Sequence, residues 1–306
     1  MGDFKNEFSW SFSRHRSFNL CKRLYFFTYY GFWGGWEKDA EESTRTLYRL
    51  KKMTTLPMLI GSLVHEIINR VLDGLKKGKE MPVENAQRDL IGLFKRKWRE
   101  SKQGEWMDDP KWKANLFEHY YDEELTEDHL LQARETMMDS IRGFYDSDSY
   151  HFIKTLSPRE WLTKEEIDSF DFEGTNVWVK LDFAARHGEK IYIYDWKTGR
   201  EVTEDETQLA VYGLYAMNRW AIELNNLRLF DIYLKKQLPV KMKLSRKIVR
   251  GAREAIAHSI REMKALLDDE LENRANIENF PMTDEKSLCR RCAFKGICYP
   301  DSWRDI

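Results

Sequence analysis

The sequence predicts an α/β protein that carries an additional helical region and a cysteine-bearing C-terminal segment. Three observations predict this class. Apolar residues recur at helical spacing through most of the first half of the chain, β-rich runs follow near its middle, and helix, strand and helix then alternate. With 306 residues, the chain is also long enough to bury a sizeable core.

The first half is predicted to be helical. Residues 10–33 are aromatic-rich and are predicted to form helix from Ser13 onward. The stretch LPMLIGSLVHEIINRVLDGLKKG has an apolar stripe that includes Leu63 and Ile67, and it stops at Gly78, which is typical of a helix end. Residues 83–146 are predicted to be helical throughout.

The second half is predicted to supply the sheet. EGTNVWVKLDFAARHGEKIYIYDWK holds two β-rich runs around HGE, which indicates a hairpin. TEDETQLAVYGLYAMNRW begins with a capping box, Thr203 and Glu206, and is predicted to be a helix. LRLFDIYLKK is predicted to be a strand and residues 245–269 a helix.

The composition is that of a globular intracellular protein. Hydrophobic residues make up 42% and charged residues 33%, and the formal net charge is −1, so a nucleic-acid surface must be a local patch. No apolar run approaches the roughly 20 residues of a membrane span. The start, MGDFKNEFSW, lacks a signal-peptide apolar region. We therefore expect a cytoplasmic location without membrane association, where structural disulfides are rare.

The stretch IYIYDWKTGR reads as a strand that ends in a charged pair. Side chains alternate along a strand, so Asp195 and Lys197 share one face. Asp182, expected on the preceding strand of the hairpin, can approach Asp195. Two converging carboxylates repel each other unless a cation lies between them, and oxygen ligands of this kind suit Mg²⁺ or Mn²⁺. A lysine beside such an ion is typical of phosphodiester hydrolysis. The alternative is a surface hairpin with an ordinary Asp–Lys pair.

Other polar residues are candidates for the same site. Gln208 and Tyr212 lie four residues apart on a predicted helix and therefore project from one face. His65 lies within an amphipathic helix, where it is either a core residue or a ligand. Glu160 is a further candidate acid, or else a solvated charge.

Taken in order, these motifs resemble the PD-(D/E)XK nucleases of the RecB type. The motifs are G-x-x-x-H (Gly61–His65), VKLD ending at Asp182, YDWKTG with Asp195 and Lys197, and QLAVY with Gln208 and Tyr212. The resemblance extends to the iron–sulfur branch, which includes the C-terminal nuclease of AddB, the CRISPR-associated iron–sulfur exonucleases and the eukaryotic mitochondrial exonuclease. The matches run from residue 11 to residue 298, and their order is more specific than any single motif.

The resemblance implies a restriction-endonuclease-like core, in which a central mixed sheet is flanked by helices. It implies a single nuclease domain over residues 1–306, made of an N-terminal segment (1–60), a helical insertion (80–150), the nuclease core (155–270) and a cluster segment (280–306).

The resemblance also implies residue roles. His65, Asp182 and Asp195 would bind the metal together with the carbonyl of Trp196, Lys197 would be the catalytic lysine, and Gln208 and Tyr212 would support the site and contact DNA. The chain departs from the family at Val179, where a glycine is usual. Its second acid is Asp, as in the helicase-nuclease members, whereas the CRISPR-associated members usually carry Glu. Neither change removes a ligand, so an active enzyme is expected.

The cysteines indicate a metal group. Cys289, Cys292 and Cys298 form C-x₂-C-x₅-C, and Cys21 lies far upstream. Four thiolates suit either zinc or a 4Fe–4S cluster. SFSRHRSFNLCKRLYFF resembles the segment that supplies the remote cluster ligand in the iron–sulfur branch, with Lys22 in place of its usual proline. The resemblance therefore implies a 4Fe–4S cluster with a structural role, which would link the two chain ends.

Two basic stretches are candidates for DNA contact. Residues 235–253 carry eight Lys or Arg and no acid, and residues 95–99 carry four around a tryptophan. Such stretches can follow phosphates, and an aromatic ring can stack on bases. The alternative is a solvated helix face. The residues expected to bind DNA are Lys95, Arg96, Lys97, Trp98, Lys241, Lys243, Arg246 and Lys247. Stacking on the Trp33/Trp36 loop is a further possibility.

The sequence thus predicts a Mg²⁺- or Mn²⁺-dependent DNA exonuclease acting on single-stranded ends, in repair, recombination, CRISPR adaptation or phage-related DNA processing. A helicase or a CRISPR integrase is the expected partner. The chain has no P-loop motif, so it is not expected to be a helicase itself. Two alternatives remain: a nuclease-like module that grips DNA within a larger complex and barely cuts, and a zinc-stabilised RNA-processing protein.

Overall fold

A mixed sheet and a smaller neighbouring sheet position the site. The computed structural model describes residues 5–200, 204–236 and 238–306. The five-stranded sheet has the order β2-β5-β6-β7-β8, in which β6 and β7 are parallel and the other pairs antiparallel. The three-stranded sheet has the order β1-β4-β3, and β9 pairs with β10. The strands are β1 (Trp10–Ser11), β2 (Trp161–Lys164), β3 (Ile167–Phe172), β4 (Thr175–Lys180), β5 (Phe183–His187), β6 (Lys190–Lys197), β7 (Leu227–Tyr233), β8 (Leu238–Met242), β9 (Leu267–Asp269) and β10 (Arg274–Ala275).

Helices cover the five-stranded sheet on both faces. The helices of the described residues are α1 (Phe12–Leu20), α2 (Lys22–Phe26), α3 (Glu42–Lys51), α4 (Leu56–Lys76), α5 (Val83–Lys102), α6 (Phe117–Tyr120), α7 (Glu127–Asp146), α8 (Asp148–Thr155), α9 (Glu204–Trp220), α10 (Arg246–Lys264), α11 (Lys286–Cys289) and α12 (Lys295–Cys298). One core cluster joins α9 and α10 to the sheet, and the other joins α4, α5 and α7 to the opposite face. This layering confirms the predicted α/β class with a mixed sheet flanked by helices.

Helix α4 follows the sequence prediction closely. The Thr55 side chain caps it by accepting a hydrogen bond from the amide of Met58 at 3.4 Å, and Gly78 ends it with φ at +70°. Its apolar stripe, including Ile67 and Val71, is fully buried. This helix carries His65 to the end of the sheet.

Two other helical predictions concern residues 83–146 and the helix predicted to begin at Thr203. Residues 83–146 are not helical throughout, because between α5 and α7 the chain forms only short helical turns and loops. The predicted cap at Thr203 lies outside the described residues, although α9 itself is present as predicted. Among the described residues, no helix is both long and apolar enough to cross a membrane.

The predicted hairpin is present, but its first run is divided between two sheets. β5 and β6 form the hairpin in the five-stranded sheet, whereas β4 pairs with β1 and β3. Asp182 therefore lies at the break between β4 and β5, not on a strand as predicted. The burial pattern explains the break: side chains alternate between buried and exposed up to Lys180, and residues 181–185 are all buried because β5 is covered on both faces.

Contacts between the two ends of the chain hold the cysteine-bearing segments together. Arg23 donates from its Nε to the carbonyl of Phe280 at 2.7 Å, and the Phe280 ring packs against Phe26 at 5.3 Å. Phe27 packs against Phe294 at 5.2 Å, between Cys292 and Cys298 in sequence. Apolar packing thus brings residues near Cys21 to the C-terminal segment.

Candidate active site

The site lies where β6 and β7 end, on the sheet face that α9 covers. Asp195 on β6 and Asp231 on β7 are register partners in this parallel pair, and both are buried. Because side chains alternate, Trp196 points to the other face, where it packs against Phe144 at 5.3 Å. Asp195 and Lys197 therefore share one face, as the sequence predicts.

Lys197 is held by three acceptors. Its ammonium lies 2.5 Å from Asp195 Oδ2, donates to Gln208 Oε1 at 2.7 Å and lies 3.8 Å from Asp231 Oδ1. These contacts fix the end of a long side chain at the rim of the cleft. Sequence reasoning missed Asp231, because an acid in an apolar strand carries no sign of its pairing with the neighbouring strand.

A histidine and two carboxylates form a potential metal site. Ligand atoms of His65, Glu165 and Asp182 all lie within 4.8 Å of one another. His65 Nδ1 is 3.2 Å from Asp182 Oδ1 and 3.3 Å from Glu165 Oε1. The other Asp182 oxygen accepts a hydrogen bond from the amide of Trp196 at 2.7 Å, which ties this carboxylate to the end of β6. The structure thus brings His65 and Asp182 together as predicted.

Glu165 is the member that sequence reasoning missed. It lies in the turn between β2 and β3 with φ at +55°, and its amide donates to the carbonyls of Leu181 and Asp182 at 3.0 and 3.2 Å. A Lys180 ion pair also holds its carboxylate. Glu160, the acid considered from the sequence, does not border the cleft. Its Oε1 instead lies 2.6 Å from Nδ1 of His187. A turn set by long-range pairing leaves no local signal in the sequence.

The pKa values of both Asp195 and His65 lie above their usual values. Burial and the adjacent Asp182 charge raise the pKa of Asp195 to about 6, against the opposing effects of Lys197 and His65. Burial alone would lower the pKa of His65, but Asp182 and Glu165 together raise it well above its usual value. Both shifts reflect carboxylates held close together in a buried site, an arrangement that an added cation would stabilise.

Gln208 and Tyr212 connect α9 to the carboxylates. Gln208 Nε2 donates to the Tyr212 hydroxyl at 2.7 Å. That hydroxyl lies 3.0 Å from the carbonyl oxygen of Lys180 and 3.2 Å from Asp195 Oδ1, so its single proton serves one of the two. Burial and the charges of Asp195 and Asp182 raise the Tyr212 pKa, which keeps the hydroxyl protonated. These residues position the acids and the lysine.

Most of these side chains border one open cleft of about 710 Å³: His65, Asp182, Asp195, Lys197, Gln208 and Tyr212. Glu165 and Asp231 contact them but are not among the residues that line the cleft. Val179, in the position where the family usually has glycine, also borders it, as does Trp196, whose side chain is buried on the far face. The donor set of one imidazole and several carboxylates fits a divalent ion, since carboxylates suit Mg²⁺ and Mn²⁺ and imidazole suits transition metals. His65, Glu165 and Asp182 are the residues whose ligand atoms lie close enough together to hold it, whereas Asp195, also predicted as a ligand, is not part of this group.

The residues predicted to contact DNA lie elsewhere. Among the residues that the structure describes, none of the eight borders the cleft. Lys97 pairs with Glu100 at 2.9 Å, and the Trp98 ring packs edge-on against His119 at 4.5 Å. Trp33 and Trp36 pack against each other at 5.2 Å. The role of the basic stretches in DNA binding stays a prediction.

The four cysteines border one pocket of about 470 Å³. They are free thiols, and burial raises the pKa of Cys292 to about 12 and that of Cys298 to about 11. In the described part of the chain, the only group of potential ligand atoms within 4.8 Å of one another is that of His65, so the thiols are not gathered around a common ion. The predicted 4Fe–4S cluster is therefore not shown.

The family comparison agrees with this geometry. The family model of the PD-(D/E)XK nuclease superfamily matches residues 9–299, which is nearly the whole chain. No curated protein matches the sequence. The matched region contains every residue of the cleft discussed above, and nucleases of this superfamily use divalent metal ions. The chain belongs to the PD-(D/E)XK nuclease superfamily.

Proposed function

We propose that this protein is a metal-dependent DNA exonuclease that hydrolyses phosphodiester bonds at single-stranded ends. The observation that carries the proposal is the convergence of ligand atoms of His65, Glu165 and Asp182 within 4.8 Å, together with the position of His65 and Asp182 in the same cleft as Asp195 and Lys197. The choice of exonuclease over endonuclease follows from the sequence resemblance alone.

In this proposal the chain's residues divide the work. His65, Glu165, Asp182 and Asp195 hold the ion, with the Trp196 carbonyl as a further ligand. When bound, the ion polarises the scissile phosphate and lowers the pKa of a water molecule. Lys197 places a fixed positive charge beside the phosphate, where negative charge develops during the reaction.

Asp195, Gln208 and Asp231 keep the Lys197 ammonium in place before substrate arrives. An ammonium oriented in advance needs no rearrangement during the reaction, which is the main advantage of such electrostatic stabilisation. Tyr212 holds Asp195 from the other side. The intact set distinguishes this proposal from a nuclease-like module that only grips DNA.

The test is cleavage of end-labelled linear single strands in Mg²⁺ or Mn²⁺, with circular single strands and EDTA as controls. We expect cleavage of the linear strands only, and a loss of about 100-fold or more in Lys197→Ala. Lys190→Ala is the matched control, because Lys190 is an exposed lysine at the other end of β6.

Equal activity of the wild type and Lys197→Ala would refute the proposed chemistry. Tight DNA binding without cleavage by the wild type would favour the DNA-gripping alternative. Cleavage of circular strands would identify an endonuclease. Labels at the 5′ and the 3′ end report the direction of digestion.

We further propose that the cysteine pocket takes up a 4Fe–4S cluster. The support is that Cys21 and the three C-terminal cysteines border one pocket although they lie far apart in sequence. Because the four thiols are not gathered within ligand distance of one another, assembly has to draw them together. Anaerobic purification should yield iron, labile sulfide and an absorption band near about 400 nm, all lost in Cys21→Ser. A colourless protein containing one zinc ion would refute the cluster.

A further inference from the structure

The three-stranded sheet extends the catalytic cleft with an exposed face. Along β4, Thr175, Val177 and Val179 are buried, whereas Asn176, Trp178 and Lys180 face outward. This alternation follows from the geometry of a strand with only one covered face. The outward row begins at Lys180, whose carbonyl lies 3.0 Å from the Tyr212 hydroxyl. The face therefore starts at the active site.

Neighbouring strands add to the same face. Ile167 of β3 is the register partner of Lys180, and Ser11 of β1 is the register partner of Trp178. Trp178 is 42% exposed and Ile167 69% exposed, which is unusual for large apolar side chains that lie close together. Both border the catalytic cleft together with Ser11 and Lys180. An apolar surface is thus continuous with the carboxylates.

Positive groups border this apolar surface. Arg16, Lys180, Lys197 and Arg200 border the same cleft as Trp178. Cations next to an exposed aromatic ring are the combination that binds single-stranded nucleic acid, since the cations contact phosphates and the ring stacks on a base. Paired bases in a duplex present no free face to such a ring.

We propose that Trp178, with Ile167 beside it, is a stacking platform for unpaired bases of a single DNA strand that enters the active site. The proposal rests on the proposed nuclease function and adds the residues that would select its single-stranded substrate, since stacking requires bases that are not in a duplex. Trp178 is a specificity-determining residue here and takes no part in the hydrolysis. The basic stretches predicted from the sequence are not needed for this contact.

Binding is measured by fluorescence anisotropy with labelled strands in EDTA, so that no cleavage occurs. We expect Trp178→Ala to bind a single strand about tenfold more weakly than the wild type, and Trp178→Phe to restore most of the affinity. The wild type should bind a strand of abasic sugar-phosphates about as weakly as Trp178→Ala binds the normal strand. Trp112→Ala is the matched control, because Trp112 is 67% exposed and does not border the cleft.

Unchanged binding by Trp178→Ala, or equal wild-type affinity for normal and abasic strands, would overturn the platform. The abasic comparison needs no substitution and Ile167→Ala is a second variant, so a misfolded Trp178→Ala would not prevent the test. Lys197-dependent cleavage with binding that ignores Trp178 would overturn this inference and leave the nuclease function standing. Binding that depends on Trp178 without any cleavage would support the platform and refute the nuclease function.

Discussion

Gly143 offers a test of how the helical region is joined to the catalytic strands. It lies buried within α7, and a Cβ added there would lie 1.9 Å from the carbonyl oxygen of Leu234 and 2.8 Å from its carbonyl carbon. Leu234 follows β7, and its amide donates to the carbonyl of Lys197 at 3.0 Å. Alanine at position 143 must therefore push α7 away from the strand end beside Lys197.

Two opposing effects set the size of the change. Replacing a mid-helix glycine by alanine stabilises a helix by about 0.5–1 kcal/mol. Overpacking costs about 1–3 kcal/mol, and the upper end applies because the obstacle is backbone, which cannot rotate away. We expect Gly143→Ala to lower the free energy of unfolding by about 2 kcal/mol. Gly92→Ala in α5 should instead raise it by about 0.5–1 kcal/mol, because no described atom lies within 4 Å of its added Cβ.

Urea denaturation followed by circular dichroism measures both free energies. The two variants make the same chemical change on helices of equal length, so opposite signs isolate the contact with Leu234. We also expect slower DNA cleavage by folded Gly143→Ala and unchanged cleavage by Gly92→Ala. Equal or higher stability of Gly143→Ala relative to the wild type would refute the argument.

Three further predictions concern the site and its surroundings. Glu165→Gln should weaken Mn²⁺ binding by about tenfold or more in calorimetric titration. Glu160→Gln should not change it, because Glu160 pairs with His187 and does not border the cleft. Removal of divalent ions should abolish cleavage. Addition of Mn²⁺ at about 100 times its dissociation constant should stabilise the fold by about 2.7 kcal/mol. A melting temperature that does not change on addition of Mn²⁺ would contradict the metal site. Burial and the charge of Lys102 lower the pKa of His119 from 6.5 to about 4. As the pH falls from 6.5 towards 4, His119 is therefore protonated in the unfolded chain but not in the folded protein, and the free energy of unfolding decreases. After discounting for solvent, His119→Asn should reduce the loss measured by urea denaturation between pH 7 and pH 5 by about 1 kcal/mol, and an equal loss in both proteins would contradict this.

Much of the catalytic edge could be predicted from the sequence. The alternation of a strand places Asp195 and Lys197 on one face, and helical spacing places Gln208 and Tyr212 on another, because both patterns are set by local backbone geometry. The structure brings these four residues together, with His65 and Asp182, around one cleft. Their order along the chain was informative because α4, β6 and α9 all contribute side chains to this cleft.

Other parts of the site had no local signal. Glu165 reaches His65 only because its turn hydrogen-bonds to Leu181 and Asp182. Trp178 reads in the sequence as one residue of a β-rich run, and its exposure depends on which sheet its strand joins. For the basic stretches, residues 95–99 and 235–253, the sequence showed the charge, but it did not show that the residues predicted to bind DNA lie outside the cleft.

The sequence by itself determined the element order, the charged end of β6 and the candidate ligands His65 and Asp182. It also determined the resemblance to the PD-(D/E)XK nuclease superfamily, which the family match bears out at the level of the superfamily. Only the tertiary structure decided that β4 and β5 belong to different sheets, that Glu165 completes the cluster of His65 and Asp182, and that an apolar face leads into the cleft. The physical reason is the range of the interactions. Side-chain periodicity is written into neighbouring residues, whereas strand pairing and burial depend on contacts between residues far apart in the chain, which no local pattern records.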